Sequence, residues 1–289
     1  MPAAKASAKR RAIPRVSADD FAERSYFISG WRGRADQGDL LSHLSCATLL
    51  SYGCRGDPLP WGGSNMALVA PALLSADFAR LSEALEMIKA AGASMVHVDV
   101  MDGHFAPDVT VGQPVIQSLR RATDLVLDLR LAIERPERYA GEFIAAGADR
   151  IAIHPESTWH LCRVLELIRA RGAKAGIALN TASSIESVTE VLGDVDFVTI
   201  LSAHLGGDDT FLPRSVDKIA SCSRMRADRR LEFAVQAEGG IGFDNLEELI
   251  RAGADILVAG SVIFHNDDPR ARLAEMIRLA SELHQTSRV

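Results

Sequence analysis

Residues 96–105 read V-H-V-D-V-M-D-G-H-F, apolar and polar side chains in alternation until the run breaks at Asp102 and Gly103. Positions two apart in a strand share a face, so His97, Asp99 and Met101 point one way and Val96, Val98 and Val100 the other. The valine face suits burial under helices. An imidazole and a carboxylate on the opposite face, just ahead of a polar turn, read as chemistry placed at the C-terminal end of a buried strand. Alone, a His-x-Asp pair is more often the polar edge of an ordinary strand, so the surroundings of the stretch decide its meaning.

Those surroundings are regular. From Met66 onward, short apolar runs alternate with segments of helical period, the pattern of a parallel α/β architecture. Strands are predicted at 67–70, 95–100, 125–133, 150–154, 174–179, 197–201, 231–238 and 256–259. Helices are predicted at 76–91, 114–122, 136–146, 161–170, 185–192, 214–225, 243–252 and 269–283. Eight strand–helix units over residues 66–289 fit one (β/α)8 TIM barrel. Catalytic groups in such a barrel sit at the C-terminal ends of strands, and phosphate binds at the loops after strands 7 and 8.

The predicted strand ends carry the residues this rule asks for. Strand 7 ends Gln236, Ala237, Glu238, so Glu238 is the last side chain before Gly239 and Gly240. Either Asp99 and Glu238, on well-separated strands, face each other across the barrel mouth, or Glu238 is a solvent-facing loop acid. Two carboxylates on opposite sides of a substrate are what a two-base epimerisation needs: one removes a proton alpha to a carbonyl, the other returns one from the far side. In strand 3, Asp128, Arg130 and Ala132 alternate with leucines, which turns Arg130 into the barrel, paired with Asp128 or another acid, or bound to substrate. Gly239 with Gly240, and Gly260 with Ser261, allow close approach of backbone amides to an anion. His154 ends strand 4, where a satisfied core histidine is the commoner reading.

The run A-P-A-L-L-S-A-D-F at 70–78, the V-H-V-D-V-M-D-G-H-F stretch, I-H-P-E-S at 153–157, E-G-G-I at 238–241 and V-A-G-S at 258–261 together resemble the ribulose-phosphate 3-epimerase family. The resemblance covers about residues 68–283. It implies interconversion of pentulose phosphates at C3 through an enediolate inside a TIM barrel, with a divalent metal held by two His and two Asp. In that pattern His97 and Asp99 match metal ligands, Asp99 is also a catalytic base, and Gly239, Gly240, Gly260 and Ser261 match the phosphate site. Met101 and Arg130 are expected against the substrate. The working positions also depart from the family pattern. Arg130 stands at the strand 3 metal histidine and cannot ligate; Glu238 stands at the strand 7 aspartate. Ala72 replaces a substrate-contacting serine, Ala132 a methionine, and residues 202–209 a proline- and glycine-rich loop.

Three readings follow. Arg130 supplies the positive charge in place of the metal while Asp99 and Glu238 exchange protons; or His97, Asp99 and Glu238 still hold a divalent metal ion; or the barrel has lost catalysis and only binds a phosphorylated sugar.

Residues 1–65 differ in kind. They hold nine Lys/Arg and six Asp/Glu, a net of +3, against −6 for the whole chain of 289 residues, which leaves −9 for the remainder. No repeating apolar face appears in them, so they read as a poorly structured N-terminal extension, or as an upstream stretch before a start at Met66. The Asp19, Asp20 and Glu23 cluster argues against an organellar targeting peptide. The acidic body argues against nucleic acid as a partner, and no window is apolar enough for a membrane helix. Cys46, Cys54, Cys162 and Cys222 lack metal-ligand spacing, which points to free thiols in a reducing, cytoplasmic setting. The expected partner is a small sugar phosphate, with the chain assembled as a homo-oligomer.

Overall fold

Runs of Val, Ile and Leu too short to be helices become the strands of one parallel sheet, and the amphipathic segments between them become its cover. The computed structural model describes residues 67–287. The strands are β1 (Leu68–Pro71), β2 (Met95–Met101), β3 (Val126–Ala132), β4 (Arg150–Ile153), β5 (Lys174–Leu179), β6 (Phe197–Leu201), β7 (Ala234–Glu238) and β8 (Ile256–Ala259). They pair in parallel in the order β1-β8-β7-β6-β5-β4-β3-β2. A single bridge between Ala72 and His97 joins β1 to β2 and completes the ring. The helices are α1 (Leu81–Ala90), α2 (Gln113–Ala122), α3 (Ala140–Ala146), α4 (Leu161–Ala170), α5 (Arg214–Arg229), α6 (Leu246–Arg251), α7 (Ser261–Phe264) and α8 (Pro269–Ser287). The TIM barrel expected from the sequence is the architecture found. Residues 1–65, with Cys46 and Cys54, lie outside the described residues.

Strand periodicity divides the side chains between two cores. Val96, Val98, Val100, Leu127, Leu129, Leu131, Ile151 and Ile153 face outward and pack with Leu85, Ile116, Phe143 and Leu165 of the helices. Each such side chain, fully buried, contributes about 1.5–3 kcal/mol. The inward cluster is built of smaller groups: Ala70, Ala152, Ala178 and Ala234, with Met95, Ile256 and Val258 and one large ring, Phe197. Alanines leave the upper barrel to long polar side chains. Phe197 fills the floor, with the Arg150 guanidinium 3.8 Å above its ring, and β5 makes room for that ring with Gly176.

Several boundaries differ from the sequence reading, each for a local reason. The first helix was expected from residue 76 but begins at Leu81, because Asp77 accepts the Ala79 N–H at 2.9 Å and caps a 3-10 turn at Phe78–Arg80 instead. Ile185–Asp194 is a 3-10 helix rather than α; its buried Ile185, Val188 and Val191 recur every three residues, the 3-10 repeat. β7 starts at Ala234, three residues later than expected, since α5 runs on to Arg229 and the chain reverses at Arg230 in a left-handed conformation. The four-residue α7 had no signal of its own. No helix among the described residues is long and apolar enough to cross a membrane.

A Cβ at Gly176 would sit 2.4 Å from the Phe197 ring, which Arg150 holds from above. Gly176→Ala is therefore expected to destabilise the barrel by about 1–3 kcal/mol, read as a lowered midpoint in urea unfolding.

Candidate active site

The β2–β3 register sets His97 beside Asp128, Asp99 beside Arg130 and Met101 beside Ala132. Neighbours in parallel register point to the same side, so one inward row of each strand builds the site. The end of β2 is then locked in place. Thr110 donates to the Asp99 carbonyl at 2.6 Å and accepts from the Met101 N–H at 3.0 Å. The Asp102 carboxylate accepts N–H groups of His104, Phe105 and Glu134 at 2.8–3.0 Å, tying the β2 loop to the end of β3. Across the ring, buried Ser202 holds the end of β7, donating its N–H to the Glu238 carbonyl at 2.7 Å and its hydroxyl to the Gly239 carbonyl at 2.6 Å. Asp99 and Glu238 are thus placed by backbone anchors outside the site.

Between them lies Arg130. Its Nη2 is 2.6 Å and its Nε 2.9 Å from Asp99 Oδ1, and Nε is 2.7 Å from Glu238 Oε1. All three side chains are buried, at 4–6% exposed. A cation buried this deeply is tolerable because two carboxylates flank it. Arg130 also donates from Nη1 to His154 Nε2 at 3.4 Å. Burial and the Arg130 charge push His154 down to about 3, so it is neutral and able to accept that bond. Phe105 packs on its ring at a centroid distance of 4.9 Å.

A second polar tier lies beneath. His97 contacts Asp128 Oδ2 through Nδ1 at 2.8 Å, and through Nε2 it contacts Asp99 Oδ1 at 3.3 Å and Glu238 Oε2 at 3.4 Å. Asp128 is held in turn by Arg150 Nε at 3.1 Å and by the Gln236 amide at 3.0 Å, and Arg150 donates to Gln236 Oε1 at 3.0 Å. The alternative pairing of Arg130 with Asp128 is not what forms; Asp128 serves His97 and Arg150 instead. The roles of Arg150, Gln236 and Ser202 gave no sequence signal, because what makes them matter is distance across the ring.

This arrangement separates the two carboxyls chemically. Burial works against ionisation of Asp99, but the Arg130 and His97 charges outweigh it and hold Asp99 well below the usual carboxylate range. Burial dominates at Glu238, with the charge on Asp99 adding to it, and pushes that carboxyl up to about 7. One is an anion at neutral pH and the other readily carries a proton. Burial alone would lower His97, yet the surrounding carboxylates raise it well above its ordinary value. Such divergence within one pair suits acid–base chemistry.

His97, Asp99 and Glu238 each offer a ligand atom, all within 4.8 Å of one another, so the group can hold a metal ion. Glu238 Oε2, buried and accepting no hydrogen bond, fits that use. Against it, Arg130 already contacts both carboxylates, and a metal would have to displace the proton that the carboxylates hold on His97.

Above the charges opens a cavity of about 250 Å³ whose lining includes Asp99, Met101, Arg130, Glu238, Gly239, Gly240, Gly260 and Ser261. The structure therefore brings together in one cavity every predicted substrate or catalytic residue, with His97 just below. Asn245 shapes the glycine turn, donating to the Gly240 carbonyl at 2.8 Å and accepting the Gly242 N–H at 2.9 Å.

Comparison with known proteins points to one family. Residues 68–264 match the model of the ribulose-phosphate 3 epimerase family. The chain is 37% identical over 213 residues to the ribulose-phosphate 3-epimerase of Bacillus subtilis, covering 73% of this chain and 98% of that protein. With the enzyme of the same name from Escherichia coli it shares 38% identity over 222 residues, 76% of this chain and 97% of the other. Among solved structures, a thiamine phosphate pyrophosphorylase from Pyrococcus furiosus superposes with a TM-score of 0.55 at 17% identity, over 76% of this chain and 97% of that one, a likeness of fold alone.

Removing one member of a buried ionic network strands the others. Asp128→Ala, which leaves His97 and Arg150 facing each other without their shared carboxylate, is expected to cost about 3–5 kcal/mol, measured by urea unfolding.

Proposed function

Because the chain belongs to the ribulose-phosphate 3-epimerase family of sugar-phosphate isomerases, we propose that it inverts C3 of a ketose phosphate with Asp99 and Glu238 as its two bases. Ribulose 5-phosphate and xylulose 5-phosphate, or a related pair, are the substrates this reading assigns. The observation that carries it is Arg130, within 2.9 Å of both carboxylates at the floor of the cavity.

The chemistry runs as a single proton inversion. The ionised Asp99 takes the C3 proton, the C3–H electron pair flows toward the C2 carbonyl, and an enediolate forms. Glu238, protonated, gives its proton to C3 from the opposite face, which leaves the epimer, a protonated Asp99 and an ionised Glu238. The reverse direction starts from that second state. Between the two steps one negative charge sits on the oxygen at C2, beside the C3 hydroxyl, and Arg130 supplies the fixed positive charge that stabilises it. His154 braces Arg130 from behind without adding charge. Gly239, Gly240, Gly260 and Ser261 receive the phosphate, whose binding fixes C3 between the two carboxyls.

A second reading has two observations in its favour, the close grouping of ligand atoms on His97, Asp99 and Glu238 and a Glu238 Oε2 that accepts no hydrogen bond. With a divalent ion held by His97, Asp99 and Glu238, Lewis-acid stabilisation of the same enediolate oxygens would be available. Arg130 would then serve substrate binding alone.

Asp99→Asn and Glu238→Gln are each expected to lower kcat by about 10²–10⁴-fold in both directions, in a coupled assay of pentulose phosphate interconversion. Either variant retaining full turnover contradicts the two-base assignment. The pair must hold one proton between its members. Activity of chelator-treated protein is therefore expected to fall as pH rises through about 7, where Glu238 loses its proton, and to be insensitive to acid down to the range where Asp99 protonates. A kcat/KM profile that is flat across pH 7 contradicts that proton inventory.

A further inference from the structure

The anion cradle of this barrel already holds an anion of its own. Asp209, in the loop that follows β6, accepts the Gly240 N–H on Oδ1 at 2.8 Å and the Ser261 hydroxyl on Oδ2 at 3.0 Å. The carboxylate thus spans both glycine turns, engaging one donor from each. The loop is seated to put it there. Its base is closed by the Leu212 N–H on the Ser202 carbonyl at 2.7 Å. Its middle is pinned by Leu205, packed on Met101, Ala106, Ala132 and Phe105. Its far end lies directly on the cradle: a Cβ at Gly240, where φ is +62°, would come within 2.6 Å of the Asp209 carbonyl oxygen and 2.7 Å of the Phe211 nitrogen. Asp209 itself holds a left-handed backbone, φ 60°, uncommon for a residue with a side chain and costly unless its surroundings enforce it.

We infer that Asp209 is an intramolecular competitor for the phosphate subsite, a specificity-determining residue that a phosphorylated substrate must evict before it can occupy the cradle. This rests on the sugar-phosphate reading above and goes beyond it. One N–H and one hydroxyl cannot serve a carboxylate and a phosphate together, and the two anions repel. A ligand carrying only a loose anion, such as inorganic phosphate, meets the full cost of displacement with nothing to offset it. A ketose phosphate offsets that cost with its contacts at Asp99, Arg130 and Glu238. The latch therefore discriminates against small free anions and in favour of the whole substrate. Seated, it also keeps Leu205 over Met101, beside the catalytic carboxylates; evicted, it loosens that end of the loop, coupling phosphate arrival to access at the reacting centre.

Calorimetric titration of the full chain with inorganic phosphate tests this, comparing wild type with Asp209→Gly, which suits the left-handed backbone, and Asp209→Asn, which removes the charge and keeps the side-chain size. Both variants are expected to bind phosphate about tenfold more tightly, the gain when a competing closed state populated about nine-tenths of the time is removed. Adding Ser261→Ala to Asp209→Gly is expected to abolish the gain, which locates the phosphate in the cradle. Equal or weaker binding by the two single variants, with phosphate still bound by wild type, overturns the inference and leaves the sugar-phosphate reading standing. Absence of phosphate binding in all chains, with no C3 epimerisation of ketose phosphates, overturns both.

Discussion

A guanidinium between two carboxylates is the constraint on which this barrel turns. Asp99 and Glu238 enter the upper barrel from β2 and β7, buried, where two like charges a few ångströms apart would repel in a medium far less polarisable than water. Arg130 makes their approach tolerable, and they in turn make a buried arginine tolerable. No member can be changed without a response from the other two. The same arrangement prevents the carboxyls from behaving alike: Asp99 takes the larger share of the cation and stays ionised, while Glu238, dominated by its burial, holds its proton near neutrality. The contacts that make this trio tolerable also set its two carboxyls apart.

That upper tier stands on a second one. Asp128 meets both His97 and Arg150, Gln236 closes the ring of hydrogen bonds, and Phe197 carries Arg150 on its face. The alanines of the inner cluster make volume for these long side chains, so the small apolar residues of the strands and the large polar ones are a single packing solution. Outside the ring, the valine and leucine rows facing the helices provide most of the apolar burial. The scaffold can therefore carry an unusually polar interior without the interior being what holds the fold together.

Much of this is legible in the amino-acid sequence. Period-two alternation sorted His97, Asp99 and Arg130 to the inner face, and the rhythm of strand and helix gave the barrel, because both signals are local and repeat eight times. The pairing partners were less legible. Arg130 could as well have met Asp128, two residues away on its own strand; that it meets Asp99 and Glu238 follows from register and from the curvature of the ring, which no single strand encodes. Arg150 and Gln236 sit far apart in sequence and meet only inside the barrel. Asp209 lies in a loop with no periodic pattern, and its position on the cradle depends on the anchors at Ser202 and Leu205. The 3-10 geometry of Ile185–Asp194 was visible in principle in its spacing of three, but that spacing also suits an α-helix.

In the proposed reaction fixed protein charge, and not a bound ion, stabilises the enediolate between two carboxyl bases. Proton NMR of ribulose 5-phosphate in heavy water with metal-free, chelator-treated protein decides whether Arg130 has that role. The C3 proton signal is expected to be lost as xylulose 5-phosphate appears, and the Arg130→Met protein in the same buffer to be slower by about 10²–10³-fold. Loss of exchange on chelation, restored by adding back a divalent metal, would contradict it.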